Sequence, residues 1–179
     1  GPKRIIPPAM QIEDLPEIDV VTVSHNHYDH LDIPSLKRIS ARNPKALFLV
    51  PKGDQKLLNR KGIKNTREFL WWENIEIKGA KFTFTPTQHW SARGLADRNK
   101  SLWGGWFMTF PNFKSFHAGD SGYSKDFQDT KARLGNPDLS LIPIGAYAPR
   151  WFMKANHVNP EEALRVALDL GSKKNYAMH

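Results

Sequence analysis

Four side chains that commonly bind metal ions fall within six residues, at His25, His27, Asp29 and His30. The two histidines at the start are two positions apart, so an extended backbone places both imidazoles on one face. Asp29 and His30 follow where the chain must turn before a helix near Pro34, and a turned backbone can aim them at a nearby point. Imidazole and carboxylate ligands suit zinc, and also iron or manganese. The spacing predicts a metal site.

Further ligand candidates stand at the ends of predicted strands, where active-site groups are usually displayed. These are His89, Asp120, and His179 at the end of the sequence. Glycines lie on both sides of the Asp120-Ser121 pair. Each has an ordinary alternative, since a lone histidine is more often packed or solvated and a Gly-Asp pair is more often a turn. Their joint occurrence favours a larger ligand set.

Short β-branched and aromatic runs alternate with helical patterns, and these elements must position the candidates. Strands are predicted over 18–24, 46–50, 66–72, 74–77, 81–85, 102–110, 114–118, 138–144 and 175–178, and helices over 34–41, 54–61, 123–134 and 160–170. In the 81–85 strand, Lys81, Thr83 and Thr85 are expected to face outward, opposite Phe82 and Phe84. The interleaving predicts a layered α/β fold, in a single domain over 1–179 with an irregular lead-in over 1–15.

The composition excludes several classes of protein. The 179 residues include no cysteine, which excludes a disulfide scaffold and a thiolate metal site. No apolar run approaches the roughly 20 residues of a membrane-spanning helix. A formal net charge of +8 is compatible with an anionic partner or with an ordinary solvated surface.

The ordered set of ligands resembles the metallo-β-lactamase superfamily, an α/β class built as an αββα sandwich. Longer stretches resemble the branch that contains N-acylphosphatidylethanolamine-hydrolysing phospholipase D and its bacterial relatives. They are Gln88-His89-Trp90, Ala118-Gly119-Asp120-Ser121-Gly122-Tyr123 and His157-Val158-x-Pro160-Glu161-Glu162-Ala163.

The resemblance implies a role for each ligand. One zinc ion would be held by His25, His27 and His89, and a second by Asp29, His30 and His179, with Asp120 bridging both. A metal-bridging hydroxide would then attack a phosphodiester, since metal binding lowers the pKa of water to about 7. Manganese or iron are alternative metals.

Catalytic and substrate-binding roles are also expected. Asp29, Asp120 and His157 are the catalytic candidates, His157 through substrate contact or protonation of the leaving group. Tyr147, Arg150 and Trp151 are expected to line the substrate channel, with packing as the alternative. Asp32 either supports a ligand histidine or caps the following helix, and His117 is expected to pack or to support a ligand rather than to bind metal.

The predicted activity is hydrolysis of an N-acylphosphatidylethanolamine-type phospholipid. A metal-dependent nuclease, a lactonase or β-lactamase, and a truncated metal-binding module without turnover remain alternatives. We expect a cytoplasmic protein with peripheral membrane contact, no stable nucleic acid partner and an option of homo-oligomerisation. Only 24 residues precede His25 and none follow His179, so we also expect a partial chain that is incomplete at both ends of the fold.

Overall fold

The computed structural model describes residues 7–179, which form two β-sheets and flanking helices. The strands are β1 (Val20–Thr22), β2 (Leu47–Pro51), β3 (Thr66–Phe69), β4 (Asn74–Ile77), β5 (Ala80–Thr85), β6 (Gly105–Phe110), β7 (Phe113–His117), β8 (Leu139–Pro143) and β9 (Lys174–Met178). The α-helices are α1 (Ile33–Arg42), α2 (Gln55–Arg60), α3 (Asp126–Leu134), α4 (Arg150–Met153) and α5 (Pro160–Leu170). None of the helices described is long and apolar enough to cross a membrane.

The sheet topology directs three chain segments to one edge. A parallel sheet has the order β1-β2-β3, and a second sheet has the order β4-β5-β6-β7-β8-β9. In the second sheet β4 to β7 pair antiparallel, whereas β7, β8 and β9 pair parallel. Strands β5, β7 and β9 therefore run in the same direction, and their carboxyl ends lie along one edge.

Three apolar layers hold the two sheets and the helices together. Leu49 and Phe69 of the first sheet pack between the sheets against Phe84 and Trp106 of the second. The opposite face of the first sheet packs against α1 and α2, and that of the second against α3 and α5. This order of helix, sheet, sheet and helix confirms the predicted αββα sandwich.

Strand β5 corrects one prediction. Thr83 is 4% exposed and Thr85 is fully buried, so neither faces solvent as expected, whereas Lys81 does. Thr83 pairs with Phe107, whose ring belongs to the core beneath α3 and α5. The helix layer therefore covers the second face of β5, and sequence alternation alone carries no information about that layer.

Local polar contacts explain the element boundaries. The Asp32 carboxylate accepts a hydrogen bond from Ser35 N at 3.0 Å and caps α1. Helix α3 begins at Asp126, three residues later than predicted, because Ser124 Oγ bonds the Asp126 carboxylate and backbone N. The single-turn helix α4 is too short to show periodicity and was not predicted. Residues 7–15 are irregular apart from a 3-10 turn at Ile12–Asp14, and residues 1–6 of the predicted lead-in lie outside the described part.

Helix α5 agrees closely with the prediction. Asn159 and Glu162 form a reciprocal capping box at its start, and Gly171 ends it with φ 63°. Val166 and Leu170 are fully buried against the second sheet. The capping residues and the 3.6-residue period together determine this element.

Candidate metal centre

All seven predicted ligands lie just beyond the carboxyl ends of strands. His25 and His27 follow β1, and Asp29 and His30 occupy the turn between them and α1. The other ligands are displayed by strands of the second sheet that end on the same edge: His89 after β5, Asp120 after β7 and His179 after β9. The segments that follow strands of both sheets therefore place the ligand candidates close together.

Direct contacts fix the first sheet to the second beside this point. The indole Nε1 of Trp106 donates to the carbonyl of Val23 at 2.8 Å, and Gly104 N donates to the carbonyl of Ser24 at 2.9 Å. Gly119, with φ 64°, passes so close that a Cβ there would lie 2.7 Å from the Gly104 carbonyl oxygen. Glycine is therefore required immediately before Asp120.

One cluster of ligand atoms forms around three histidines. The Nδ1 of His27 lies 2.9 Å from Nε2 of His25 and 3.3 Å from Nε2 of His89. Asp120 Oδ2 lies 3.8 Å from the Nε2 atoms of both His25 and His89. These four side chains are the group predicted for the first ion, and they form one potential metal-binding set.

The second cluster shares Asp120 with the first. Asp29 Oδ2 lies 3.0 Å from Nε2 of His179 and 3.5 Å from Nε2 of His30. Asp120 Oδ2 lies 3.1 Å from Nε2 of His30, and its Oδ1 lies 3.5 Å from Nδ1 of His179. The Asp120 carboxylate thus faces both clusters.

The donor set fits metal ions. Ligand atoms about 2.0–2.1 Å from a tetrahedral zinc are separated from each other by about 3.3 Å. The contacts of the first cluster span 2.9–3.8 Å around that value. Asp120 Oδ1 is also buried with no hydrogen-bond partner among the described residues, which is costly unless another group satisfies it.

Burial keeps the first three histidines in the form that binds metal. It lowers the pKa of His25 and His27, and it lowers the pKa of His89 to about 3. Neighbouring histidines lower the pKa of His25 further, because adjacent positive charges repel. Neutral imidazoles offer a free lone pair, which metal coordination requires.

Carboxylates dominate the electrostatics of the second cluster. Burial opposes ionisation of Asp120 and Asp29, but adjacent histidines outweigh it and hold the pKa of both carboxyls below the usual range. Burial likewise lowers the pKa of His30, but the carboxylates of Asp120 and Asp29 outweigh this effect and raise it. A divalent cation would replace these protons as the partner of the carboxylates.

Two neighbours orient the ligand rings. Ser24 Oγ lies 3.1 Å from Nδ1 of His25, and the Asn156 carbonyl lies 3.0 Å from Nδ1 of His89. A proton on His89 Nδ1, donated to that carbonyl, leaves Nε2 free as a ligand atom. Neither contact was predicted from the sequence. Asn156 acts through its backbone carbonyl, which carries no residue-type signal, and Ser24 acts through a hydroxyl that many serines could offer.

A cavity of about 390 Å³ opens onto the ligands. Besides metal-ligand candidates its wall includes Arg98, Phe152, Met153 and His157. The Nδ1 of His157 is buried, has no hydrogen-bond partner within residues 7–179, and lies 4.0 Å from Asp120 Oδ2. His157 is therefore close enough to contact a molecule bound beside Asp120.

The three residues predicted to bind substrate do not line this cavity. Arg150 forms an ion pair with Glu162 and donates to the carbonyl of His157 at 2.7 Å, so it supports the segment before α5. Trp151 is 85% exposed and Tyr147 39%, and each is next in the chain to a residue of the cavity wall, Phe152 and Ala146 respectively. Their contact with substrate stays a prediction. Arg98, which the sequence analysis did not select, is the cation on the cavity wall.

His117 and Asp32 adopt supporting positions. The Nδ1 of His117 accepts a hydrogen bond from Gly119 N at 3.0 Å, and burial lowers its pKa. His117 is outside the groups that could hold an ion. Asp32 caps α1, which agrees with the capping alternative.

Comparison with known proteins decides the family. A family model described as "Beta-lactamase superfamily domain" matches residues 1–179. The chain belongs to this superfamily. The αββα sandwich is the metallo-β-lactamase fold.

Two curated relatives of this superfamily member carry related names. The chain is 43% identical to "N-acyl-phosphatidylethanolamine-hydrolyzing phospholipase D 1" of Caenorhabditis elegans, with 100% of this chain and 53% of that protein covered. It is 41% identical to the mitochondrial N-acyl-phosphatidylethanolamine-hydrolyzing phospholipase D of Saccharomyces cerevisiae, with 100% and 40% covered. The chain thus spans about half the length of the curated relatives it matches.

A solved structure supports the fold. Igni18, a metallo hydrolase from Ignicoccus hospitalis, superposes with a TM-score of 0.77 over 96% of this chain and 69% of that protein. The sequence identity is 22%, so this similarity concerns the fold alone.

Proposed function

We propose that this chain is a metal-dependent hydrolase that cleaves a phosphodiester, with an N-acylphosphatidylethanolamine-type phospholipid as its substrate. The observation that carries the proposal is the position of Asp120. Its buried carboxylate faces two ligand clusters at once, which is the arrangement expected of a bridging ligand in a two-ion site. The names of two relatives that match the whole of this chain supply the substrate class.

The chain's nitrogen and oxygen ligands suit two zinc ions, with manganese and iron as alternatives. Bound ions would supply Lewis acidity toward a phosphoryl oxygen and lower the pKa of water. Asp120 would be a ligand of both ions. Asp29, whose side chain is 63% exposed, would be a ligand of the second ion and keep His179 in place through their 3.0 Å contact.

The residues of the cavity wall fit the remaining steps. His157 would place its free Nδ1 beside the scissile phosphate, where it can contact the phosphate or donate a proton to the leaving alcohol. The guanidinium of Arg98 lies 4.5 Å from the centre of the Trp90 ring. This cation–π contact would hold the Arg98 guanidinium where it can bind an anionic phosphate. Both residues act on the phosphate rather than on the acyl chains.

The cavity is small for a whole phospholipid, so the acyl chains would extend beyond it. Phe152 lines the cavity and is 64% exposed, and Trp151, its neighbour in the chain, is 85% exposed. Exposed aromatic side chains of this kind suit the interface between water and lipid. We therefore propose that the protein contacts the membrane surface peripherally and takes its substrate from it.

The proposal is tested by substrate comparison with zinc-loaded protein. Vesicles of N-acylphosphatidylethanolamine, a single-stranded oligonucleotide, a lactone and a β-lactam are incubated separately, and the products are identified by mass spectrometry. We expect phosphatidic acid and N-acylethanolamine from the vesicles, formed by addition of one water molecule. The Asp120→Asn variant should lose this activity, whereas Asp129→Asn, on the exposed surface of α3, should retain it.

Three results would contradict the proposal. Cleavage of the oligonucleotide without lipid hydrolysis would indicate a nuclease. Opening of the lactone or β-lactam alone would indicate the corresponding hydrolase. Full metal loading without turnover of any substrate would indicate a metal-binding module.

A further inference from the structure

A single arginine ties together the two ends of the loop that supplies four of the ligands. Arg93 lies four residues after His89, in the segment between β5 and β6. Its Nη1 donates to the Asn26 carbonyl at 2.9 Å and to the Leu31 carbonyl at 2.8 Å. Asn26 separates His25 from His27, and Leu31 directly follows His30. One guanidinium nitrogen thus bonds the backbone on both sides of the turn.

The rest of Arg93 is held by the same loop and by its own segment. The guanidinium lies 4.1 Å from the centre of the Tyr28 ring, and the Tyr28 hydroxyl donates back to the Arg93 carbonyl at 2.8 Å. The Asp97 carboxylate accepts from the backbone N of Arg93 at 3.1 Å and of Gly94 at 2.8 Å. Tyr28 is 66% exposed, so these reciprocal contacts, rather than burial, hold its side chain in place.

The hydrogen bonds within the turn do not use the carbonyls of Asn26 and Leu31, which Arg93 contacts. Within the turn, His30 N and Leu31 N both donate to the His27 carbonyl, at 3.1 and 2.8 Å. The carbonyls of Asn26 and Leu31 instead receive the cationic donor, and hydrogen bonds from a charged donor are stronger than neutral ones. The side chain of Asn26 is fixed as well, because its Nδ2 donates to Asp54 Oδ1 at 3.0 Å.

A cation near a binding site for divalent ions is electrostatically unfavourable unless it serves another purpose. We propose that Arg93 is a positioning residue that sets the distance between the His25–His27 pair and the Asp29–His30 pair. Its loss then weakens metal binding beyond any effect on folding. The inference rests on the proposed metal-dependent function, and its test is carried out without substrate.

The test measures metal affinity and metal geometry on the full chain. Zn²⁺ affinity is measured by competition with a chelator, and Co²⁺ loading gives a d–d absorption spectrum that reports ligand geometry. We expect Arg93→Met to weaken Zn²⁺ binding about 10–100-fold, the usual effect of losing a residue that orients ligands. Arg93→Lys should recover part of the affinity, because a single nitrogen makes both carbonyl contacts. The matched control is Arg133→Met. The guanidinium of Arg133 also lies over an aromatic ring, 4.2 Å from the centre of the Trp72 ring.

The outcomes separate positioning from simple stability. Wild-type affinity and spectrum in Arg93→Met, with only a lower melting temperature, overturn the inference. If Arg93→Met does not fold, Arg93→Lys and Tyr28→Phe are measured instead. An altered Co²⁺ spectrum in either variant supports the inference, and wild-type behaviour in both overturns it. A wild-type protein that binds two ions but hydrolyses nothing contradicts only the proposed function, whereas one that binds no ion contradicts both.

Discussion

Asp120 shows what a single residue contributes to this site. It is 3% exposed, yet nearby histidines outweigh the cost of burial and hold the pKa of its carboxyl below the usual range. The sequence indicates such ligands because metal coordination restricts the residue types that can serve. The residues around them are harder to predict. Arg93 and Asn156 act through backbone carbonyls, which every residue possesses.

Asp54, which bonds the Asn26 side chain and is outside the candidate metal-binding groups of the described residues, gives a pH-dependent prediction. Burial raises its pKa to about 6 from 3.8, against the lowering effect of Ser101 and Asn26. The folded state therefore binds more protons than the unfolded state between about pH 4 and pH 6, and the contribution of Asp54 to stability falls as pH rises through this window. The Asp54→Asn variant has no carboxyl at this position, so it lacks this loss of stability with rising pH. We expect the variant to match wild type near pH 4 and to exceed its free energy of unfolding by up to about 3 kcal/mol above pH 6.

Urea denaturation at several pH values measures this difference. Asp129→Asn, which changes an exposed carboxylate on α3, is the control and should show no comparable trend. A constant difference between Asp54→Asn and wild type across the pH range would show that burial does not raise the pKa of Asp54.

At the scale of elements, the sequence predicts those that carry their own signals. Helix α5 has a capping box, one apolar face and a terminal Gly171, and it forms as predicted. The burial of Thr83 and Thr85 was predicted wrongly, because the second covering layer comes from residues distant in sequence. Helix α4 is a single turn, which has too few residues for an apolar period to appear.

Two leucines on α5 test the packing of this layer. Leu170 is fully buried against the second sheet, whereas Leu168 on the same helix is 77% exposed. We expect Leu170→Ala to lower the free energy of unfolding by about 2–5 kcal/mol through lost burial and a residual cavity. Leu168→Ala should change it by less than about 0.5 kcal/mol. Equal effects of the two substitutions in urea denaturation would contradict the described packing.

At the scale of the whole molecule, the topology creates the site. Residues from His25 to His179 meet because β5, β7 and β9 end on one edge and because Trp106 holds the β1 segment beside it. The order of the ligands along the chain was predictable from their types and from the family resemblance. The contacts between the sheets were not, because they depend on which side chains meet across the sandwich. The net charge of +8 does not indicate where in the chain the site lies.

We propose that one chain holds two metal ions and that Asp120 is a ligand of both. The most direct measurement is the metal content of protein that has been stripped with a chelator, reconstituted with Zn²⁺ and separated from free metal. We predict two ions per chain for wild type and for Asp129→Asn, and one or none for Asp120→Asn. A wild-type content of one ion or none, or two ions retained by Asp120→Asn, would contradict the claim.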